Sequence, residues 1–212
     1  MDVVVIGGHG QIAQRLLRLL AQRGDRARGV IRKPEQAPDL QQLGAEAVIC
    51  DIETESLDGA VQGADAVVFA AGAGPGSGAE RKRTVDLGGA VKLIDAAKAN
   101  GVRRYLIVSS IGAHDPASGE GPMRPYLEAK ADADDAVAES GLDFTIVRPG
   151  MLTDDLGTGK VDVSTEFGRR GPIPRDDVAA VLAECLVAEN TVGKTFELFT
   201  GETPIPEALR AL

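Results

Sequence analysis

Apolar residues in this chain follow two alternating patterns. Short unbroken runs, the first being Val3-Val4-Val5-Ile6, give way to longer stretches in which apolar residues return every third or fourth position. A continuous β-branched run predicts a strand buried on both faces, and the wider spacing predicts an amphipathic helix. Strands are accordingly expected at residues 2–6, 28–31, 48–50, 66–70, 104–109, 144–147 and 195–199. Helices are expected at 11–23, 83–100, 126–140 and 175–188. Asn100-Gly101 and Gly141 close two of them, and Pro172 and Pro174 keep the chain from being helical before the last. Such alternation predicts an α/β fold, a doubly wound parallel sheet with helices on both faces in three layers. The 212 residues suit one domain spanning 1–212, in which residues 150–212 complete the sheet and add a small substrate-pocket region.

Composition narrows the partners. Tryptophan is absent and aromatics are scarce, so the core is expected to be built from Val, Leu, Ile and Ala. A net charge of -9 argues against nucleic acid and against an anionic membrane, either of which requires a basic face. A small-molecule substrate is the expected partner, and the chain reads as a monomer or weak homodimer. With no leader-like start and no long apolar run, the expected location is cytoplasmic. Cys50 and Cys185 fall in a predicted strand and a predicted helix, which suits two buried thiols better than a disulfide. His9 and His114 stand far apart, with no partner at ligand spacing, so no metal is expected.

The first strand runs directly into Gly7-Gly8-His9-Gly10-Gln11-Ile12-Ala13. Gly7 permits a tight turn, Gly10 lets the backbone approach a phosphate, and small Ala13 lets the following helix pack closely on the strand. Amide groups at the helix start then face a pyrophosphate. Gly7, His9, Gly10, Gln11 and Ile12 are thus candidate cofactor residues, against the alternative of a tight turn that binds nothing.

Which nucleotide binds is normally decided at the end of the second strand. An acidic residue there accepts from a ribose 2′-hydroxyl, whereas basic residues suit a 2′-phosphate. Here the strand ends Val30-Ile31-Arg32-Lys33, which favours NADP(H) and makes NAD(H) less likely. The competing reading makes Arg32 and Lys33 solvated charges before Pro34. Asp51 and Ile52 end the third strand, where a carboxylate can accept from an adenine amino group, or instead cap the following turn. Ala70, Ala71 and Gly72 end the fourth strand, small enough for a ribose to lie close or simply for helix and sheet to pack.

Reduction of a carbonyl needs an acid beside the nicotinamide. A phenol, with an ordinary pKa of about 10, is made suitable when a nearby ammonium favours its anion. Tyr126 and Lys130 are one helical turn apart and share a face, and Ser110 at the end of the fifth strand is a candidate to polarise the substrate. The pair would otherwise pass as a solvated helix edge. Segments 72–78, 112–125 and 151–166 read as loops, the first two at the carboxyl ends of strands, where ligands bind in open α/β sheets. They offer no recognisable substrate chemistry.

Gly7-x-x-Gly10-x-x-Ala13, Val108-Ser109-Ser110, Tyr126-x-x-x-Lys130 and Thr145-Ile146-Val147-Arg148-Pro149-Gly150 together resemble the short-chain dehydrogenase/reductase superfamily. The likeness is to its atypical single-domain members, related to NmrA-like and flavin or biliverdin-IXβ reductase proteins, and covers nearly the whole chain. It implies a Rossmann-type fold, catalytic positions for Ser110, Tyr126 and Lys130, a ribose contact from Lys130, and a cofactor wall at Pro149 and Gly150. One departure is Asp86, where the classical family places an Asn that holds a relay water. A carboxylate there can pair with Lys130 and draw its charge from Tyr126. The resemblance therefore implies an NADP(H)-dependent oxidoreductase acting on a small carbonyl, quinone or flavin-like acceptor. The alternatives are a non-catalytic NADP-binding redox sensor and an NAD(P)-dependent epimerase or dehydratase. The epimerase ranks lower because few residues follow Pro149 to build the separate carboxyl-terminal domain of the extended enzymes.

Overall fold

A computed structural model describes residues 1–74 and 76–212. In chain order the elements are β1 (Asp2–Ile6), α1 (Gln11–Arg23), β2 (Arg26–Ile31), α2 (Ala37–Gln42), β3 (Glu46–Ile49), α3 (Asp58–Val61), β4 (Ala66–Phe69) and α4 (Ala79–Lys82). A π-helical stretch, Arg83–Gly88, joins α4 to α5 (Gly89–Ala99). There follow β5 (Arg104–Val108), α6 (Met123–Ala138), β6 (Asp143–Pro149), β7 (Met151–Thr153), β8 (Lys160–Ser164), β9 (Pro172–Pro174), α7 (Arg175–Cys185), β10 (Lys194–Thr200), β11 (Thr203–Pro204) and α8 (Ile205–Arg210).

The main sheet has the order β11-β8-β10-β6-β5-β4-β1-β2-β3. From β3 to β10 neighbouring strands are parallel, with β1 paired to β2 from Asp2↔Arg26 and to β4 from Val3↔Ala66. This is the expected Rossmann-type sheet. Alternate residues of β1 explain why both faces must be covered. Val3 and Val5 pack with Leu16, Leu17 and Leu20 of α1 and Val178 and Leu182 of α7, while Val4 and Ile6 pack with Leu93, Ile94 and Ala97 of α5. Each of these strand side chains is fully buried, worth about 1.5–3 kcal/mol apiece.

Three expectations need adjustment. The region 151–166, read as loop, contains β7 and β8, and β8 runs antiparallel to β10 and β11 at one edge. Its Lys-Val-Asp-Val-Ser alternation suits a strand with one covered face. The prolines at 172 and 174 do prevent a helix, but the chain between them pairs with β7 as a short parallel strand. The helix expected at 83–100 begins earlier, at Ala79, and widens into the π-helical stretch before resuming. In the loop expected at 72–78, Pro75 lies outside the described residues. Segment 112–125 is mostly irregular, but its last residues already belong to α6. Cys50 and Cys185 are both buried and free, and burial pushes the Cys185 thiol up to about 12. No helix among the described residues is long and apolar enough to cross a membrane.

Candidate active site

At the carboxyl ends of β1, β2, β3 and β4 the connecting turns enclose a cavity of about 300 Å³. Its walls include Gly7, His9, Gly10, Arg32, Lys33, Asp51, Ile52, Ala70, Ala71 and Gly72, which brings together ten of the expected cofactor residues. Gly7 holds φ at +80°, and a Cβ there would lie 2.7 Å from the Ala71 Cα. At Gly10 a Cβ would meet the Gly7 carbonyl oxygen at 3.1 Å. Gly7 thus requires glycine and Gly10 leaves a side chain little room, and the turn they form leaves the start of α1 without a side-chain cap or an acidic first turn. Uncapped amides beside a concave wall fit a pyrophosphate. His9 is tied to α2, its Nε2 lying 2.8 Å from Asp39 Oδ2. Gln11 does not line the cavity; its carbonyl accepts from Arg15 Nη1 at 3.0 Å.

At the far end of this cavity two guanidinium groups converge on one carboxylate oxygen. Arg32 Nη1 is 3.7 Å and Arg81 Nη2 3.4 Å from Glu53 Oε2, while Thr84 Oγ1 donates to Glu53 Oε1 at 2.9 Å. Arg81 and Glu53 were not anticipated, because contact between them depends on how α4 lies over the end of β3. Asp51 serves its own turn as well as the wall, its Oδ1 accepting from the Glu53 amide at 2.9 Å. Cys50 also lines this cavity, with burial and then Glu55 and Asp51 pushing its thiol up.

Ala70, Ala71 and Gly72 form the shared wall to a second cavity of about 490 Å³. Its apolar lining comes from Ile12, Val108, Met123, Pro149 and Leu152. Its polar side chains are Lys82, Asp86, Ser109, Tyr126 and Lys130. Ile12, in the first turn of α1, and the β6 terminus Pro149 therefore face this cavity, not the first. Gly150 lines neither; its amide donates to the Leu198 carbonyl at 2.9 Å.

Tyr126 and Lys130 stand on α6 as expected, one turn apart, with Lys130 Nζ 5.9 Å from the centre of the Tyr126 ring. Lys130 is 3% exposed and Asp86 0%, and Nζ lies 3.1 Å from Asp86 Oδ1. That approach is an oblique ion pair, so Oδ1 lacks an aligned donor, while Oδ2 accepts from the Ala73 amide at 3.1 Å. Lys130 Nζ also donates to the Val108 carbonyl at 3.1 Å. Burial acts to discharge the ammonium, but Tyr126 as a phenolate, Asp86 and Asp134 outweigh it and hold the Lys130 pKa above its ordinary value. The anticipated Asp86–Lys130 pair is therefore formed, on a π-helical stretch of the kind that often marks functional positions.

The serines are arranged differently from the expectation. Ser110 Oγ donates to the Ile111 carbonyl at 3.1 Å, and the cavity wall is formed by Ser109. Ser109 Oγ donates to Asp134 Oδ2 at 2.8 Å, an oxygen that also accepts from Arg148 Nε at 2.9 Å. Burial pushes the Asp134 carboxyl up, against the lowering effect of Arg148 and Ser109. Consecutive residues leaving a strand face opposite ways, so a one-residue error in where β5 ends exchanges the two serines. Asp134 was missed although the spacing Tyr126, Lys130, Asp134 continues one helix face.

Comparison with known proteins agrees with this geometry. The NAD(P)H-binding family model matches residues 7–189. A protein of Bacillus subtilis (strain 168) named an uncharacterised sugar epimerase is 41% identical over 215 residues, covering all of both chains. A solved structure of a putative NAD-dependent epimerase/dehydratase from Bacillus halodurans is 44% identical with a TM-score of 0.96, again covering all of both chains. An oxidoreductase of known structure from Lactococcus lactis is 29% identical with a TM-score of 0.87, covering 100% of this chain and 96% of its own.

Proposed function

Because the chain belongs to the NAD(P)H-binding family, within the atypical short-chain dehydrogenase/reductase group, we propose that it is an NADP(H)-dependent oxidoreductase. Its substrate would be a small carbonyl, quinone or flavin-like acceptor. The observation that carries this reading is the shared wall at Ala70, Ala71 and Gly72, which joins a glycine-turn cavity to one holding Tyr126 and Lys130.

A nicotinamide cofactor held by the glycine turn and by Ala70, Ala71 and Gly72 would supply a hydride. An acceptor oxygen that gains the electron pair then needs a proton, and Tyr126 is the acid on the cavity wall. Lys130, kept charged by Asp86, faces the same ring and favours the phenolate left behind. With Ser109 committed as donor to Asp134 and Ser110 to Ile111, neither hydroxyl is assigned as the main electrophilic partner. At the other end Arg32 and Arg81 form a pair suited to a 2′-phosphate, which supports NADP(H) over NAD(H).

A second reading, a non-catalytic NADP-binding redox sensor, is favoured by one observation. Asp86 compensates the Lys130 charge in a dry setting, which weakens its pull on Tyr126. The names of the relatives also point to epimerase or dehydratase chemistry. Following NADPH oxidation against panels of quinones, flavins and aldehydes separates these. Turnover of at least one acceptor is expected, and tight NADPH binding with no acceptor reduced would overturn the oxidoreductase reading.

A further inference from the structure

One helical segment serves both cavities. Between Ala79 and Gly88, Arg81 and Val85 line the glycine-turn cavity, whereas Lys82 and Asp86 line the apolar one. The two lysines that flank Tyr126 are equally near its ring, each with Nζ 5.9 Å from the centroid, but they differ in charge balance. Lys130 is buried, paired to Asp86 and bonded to the Val108 carbonyl. Lys82 is only partly buried, and its Nζ donates to the Pro122 carbonyl at 2.7 Å. Among the described residues no carboxylate stands within ion-pair distance of it, in a chain whose net charge is -9. One of its three N–H groups is occupied, so the ammonium keeps two donors at a wall otherwise made of Met123, Pro122 and the Tyr126 ring.

Resting on the oxidoreductase reading above, we propose that Lys82 is an anion anchor and that the natural acceptor is an apolar, ring-containing molecule carrying a carboxylate. Ile12, Val108, Pro149 and Leu152 take the apolar body, and the carboxylate sits on Lys82 beside Tyr126. The neutralised Asp86–Lys130 pair leaves Lys82 as the cation of this cavity without a carboxylate partner, so charge recognition falls to it. Tethering to Pro122 holds the ammonium in place before substrate arrives, which reduces the ordering cost of binding.

The test uses 1,4-naphthoquinone and its 6-carboxylate with the full chain, in wild type, Lys82→Met and Lys82→Arg. Two quantities are read, the ratio of kcat/KM for the carboxylated over the uncharged quinone, and the ratio of their dissociation constants by calorimetry in protein saturated with NADP⁺. In Lys82→Met the kcat/KM ratio should fall and the dissociation-constant ratio should rise, each about tenfold, and both should return most of the way in Lys82→Arg, as expected for one charge-assisted contact. Equal ratios in wild type and Lys82→Met would overturn the anchor, as would absence of measurable binding of the carboxylate to wild type. If the binding ratio shifts as expected but neither quinone consumes NADPH, the anchor stands and the oxidoreductase reading fails.

Discussion

The two cavities share a wall and little else. The glycine-turn cavity is built from backbone and exposed charge: Gly7 and Gly10 close on neighbouring main chain, and Arg32, Arg81 and Glu53 meet at an open edge. The apolar cavity is built from side chains, with Asp86 and Lys130 buried among Ile12, Val108 and Pro149. In the first, charge is solvated and exchangeable, which suits binding and release of an anionic nucleotide. In the second, charge is desolvated and tightly balanced, which suits control of a proton at Tyr126. A main-chain cradle tolerates loss of any one side chain, whereas a buried ion pair does not tolerate loss of either member.

The sharpest way to break this contrast is to fill the cradle. Gly7→Val forces a β-branched residue into φ +80° and sets its Cβ 2.7 Å from the Ala71 Cα, so something must shift. NADPH and NADH affinities should both fall about 100-fold, equivalent to roughly 2.7 kcal/mol, in a direct binding titration. A selective loss of one nucleotide would show that the turn does not hold their common pyrophosphate.

The buried pair responds next. Asp86→Asn keeps an acceptor for the Ala73 amide but leaves Lys130 without its counter-charge, and chemical denaturation should show a loss of about 3 kcal/mol. The pH dependence has a definite sign. A lysine held above its ordinary 10.5 in the folded protein stabilises fully below pH 10.5, and that contribution is lost as pH rises through the raised folded value. In Asp86→Asn burial without the counter-charge lowers the folded value, so the alkaline loss of stability due to Lys130 should be smaller. Superimposable alkaline limbs for the two proteins would remove Asp86 from the control of Lys130.

Smallest are the effects at the open edge. Arg32→Ala and Arg81→Ala should each weaken NADPH binding about tenfold while changing NADH binding less than twofold, the loss of one charge-assisted contact to a phosphate. Equal losses for both nucleotides would place these guanidiniums on some other part of the ligand. A loss of NADH alone would assign Glu53 to a ribose hydroxyl instead.

These differences also mark how far the residues can be read before folding. The Val3 to Ile6 run and the glycine turn at Gly7 and Gly10 are local, and the structure places them as expected, at the head of α1 and on the cavity wall. So is the Tyr126–Lys130 face, one turn of one helix. What escapes is decided by register or by contact across long separations. Ser109 replaces Ser110 on the cavity wall through a one-residue shift at the end of β5, and β7 and β9, three residues each with prolines in one, exist only because they pair with each other. Arg81 and Lys82 are adjacent in sequence yet enter different cavities, a division set by the pitch of the helix between them. No periodicity in the chain announces which neighbour will be Glu53 and which Tyr126.

The central claim is that Tyr126 acts on the acceptor and not on the nucleotide. Single-turnover oxidation of bound NADPH by a quinone, measured beside the NADPH dissociation constant in wild type and Tyr126→Phe, separates the two roles. The account predicts a rate lowered by about 10²–10⁴-fold, the usual worth of a positioned acid, with the dissociation constant within about twofold of wild type. A Tyr126→Phe protein that oxidises NADPH as fast as wild type would contradict it.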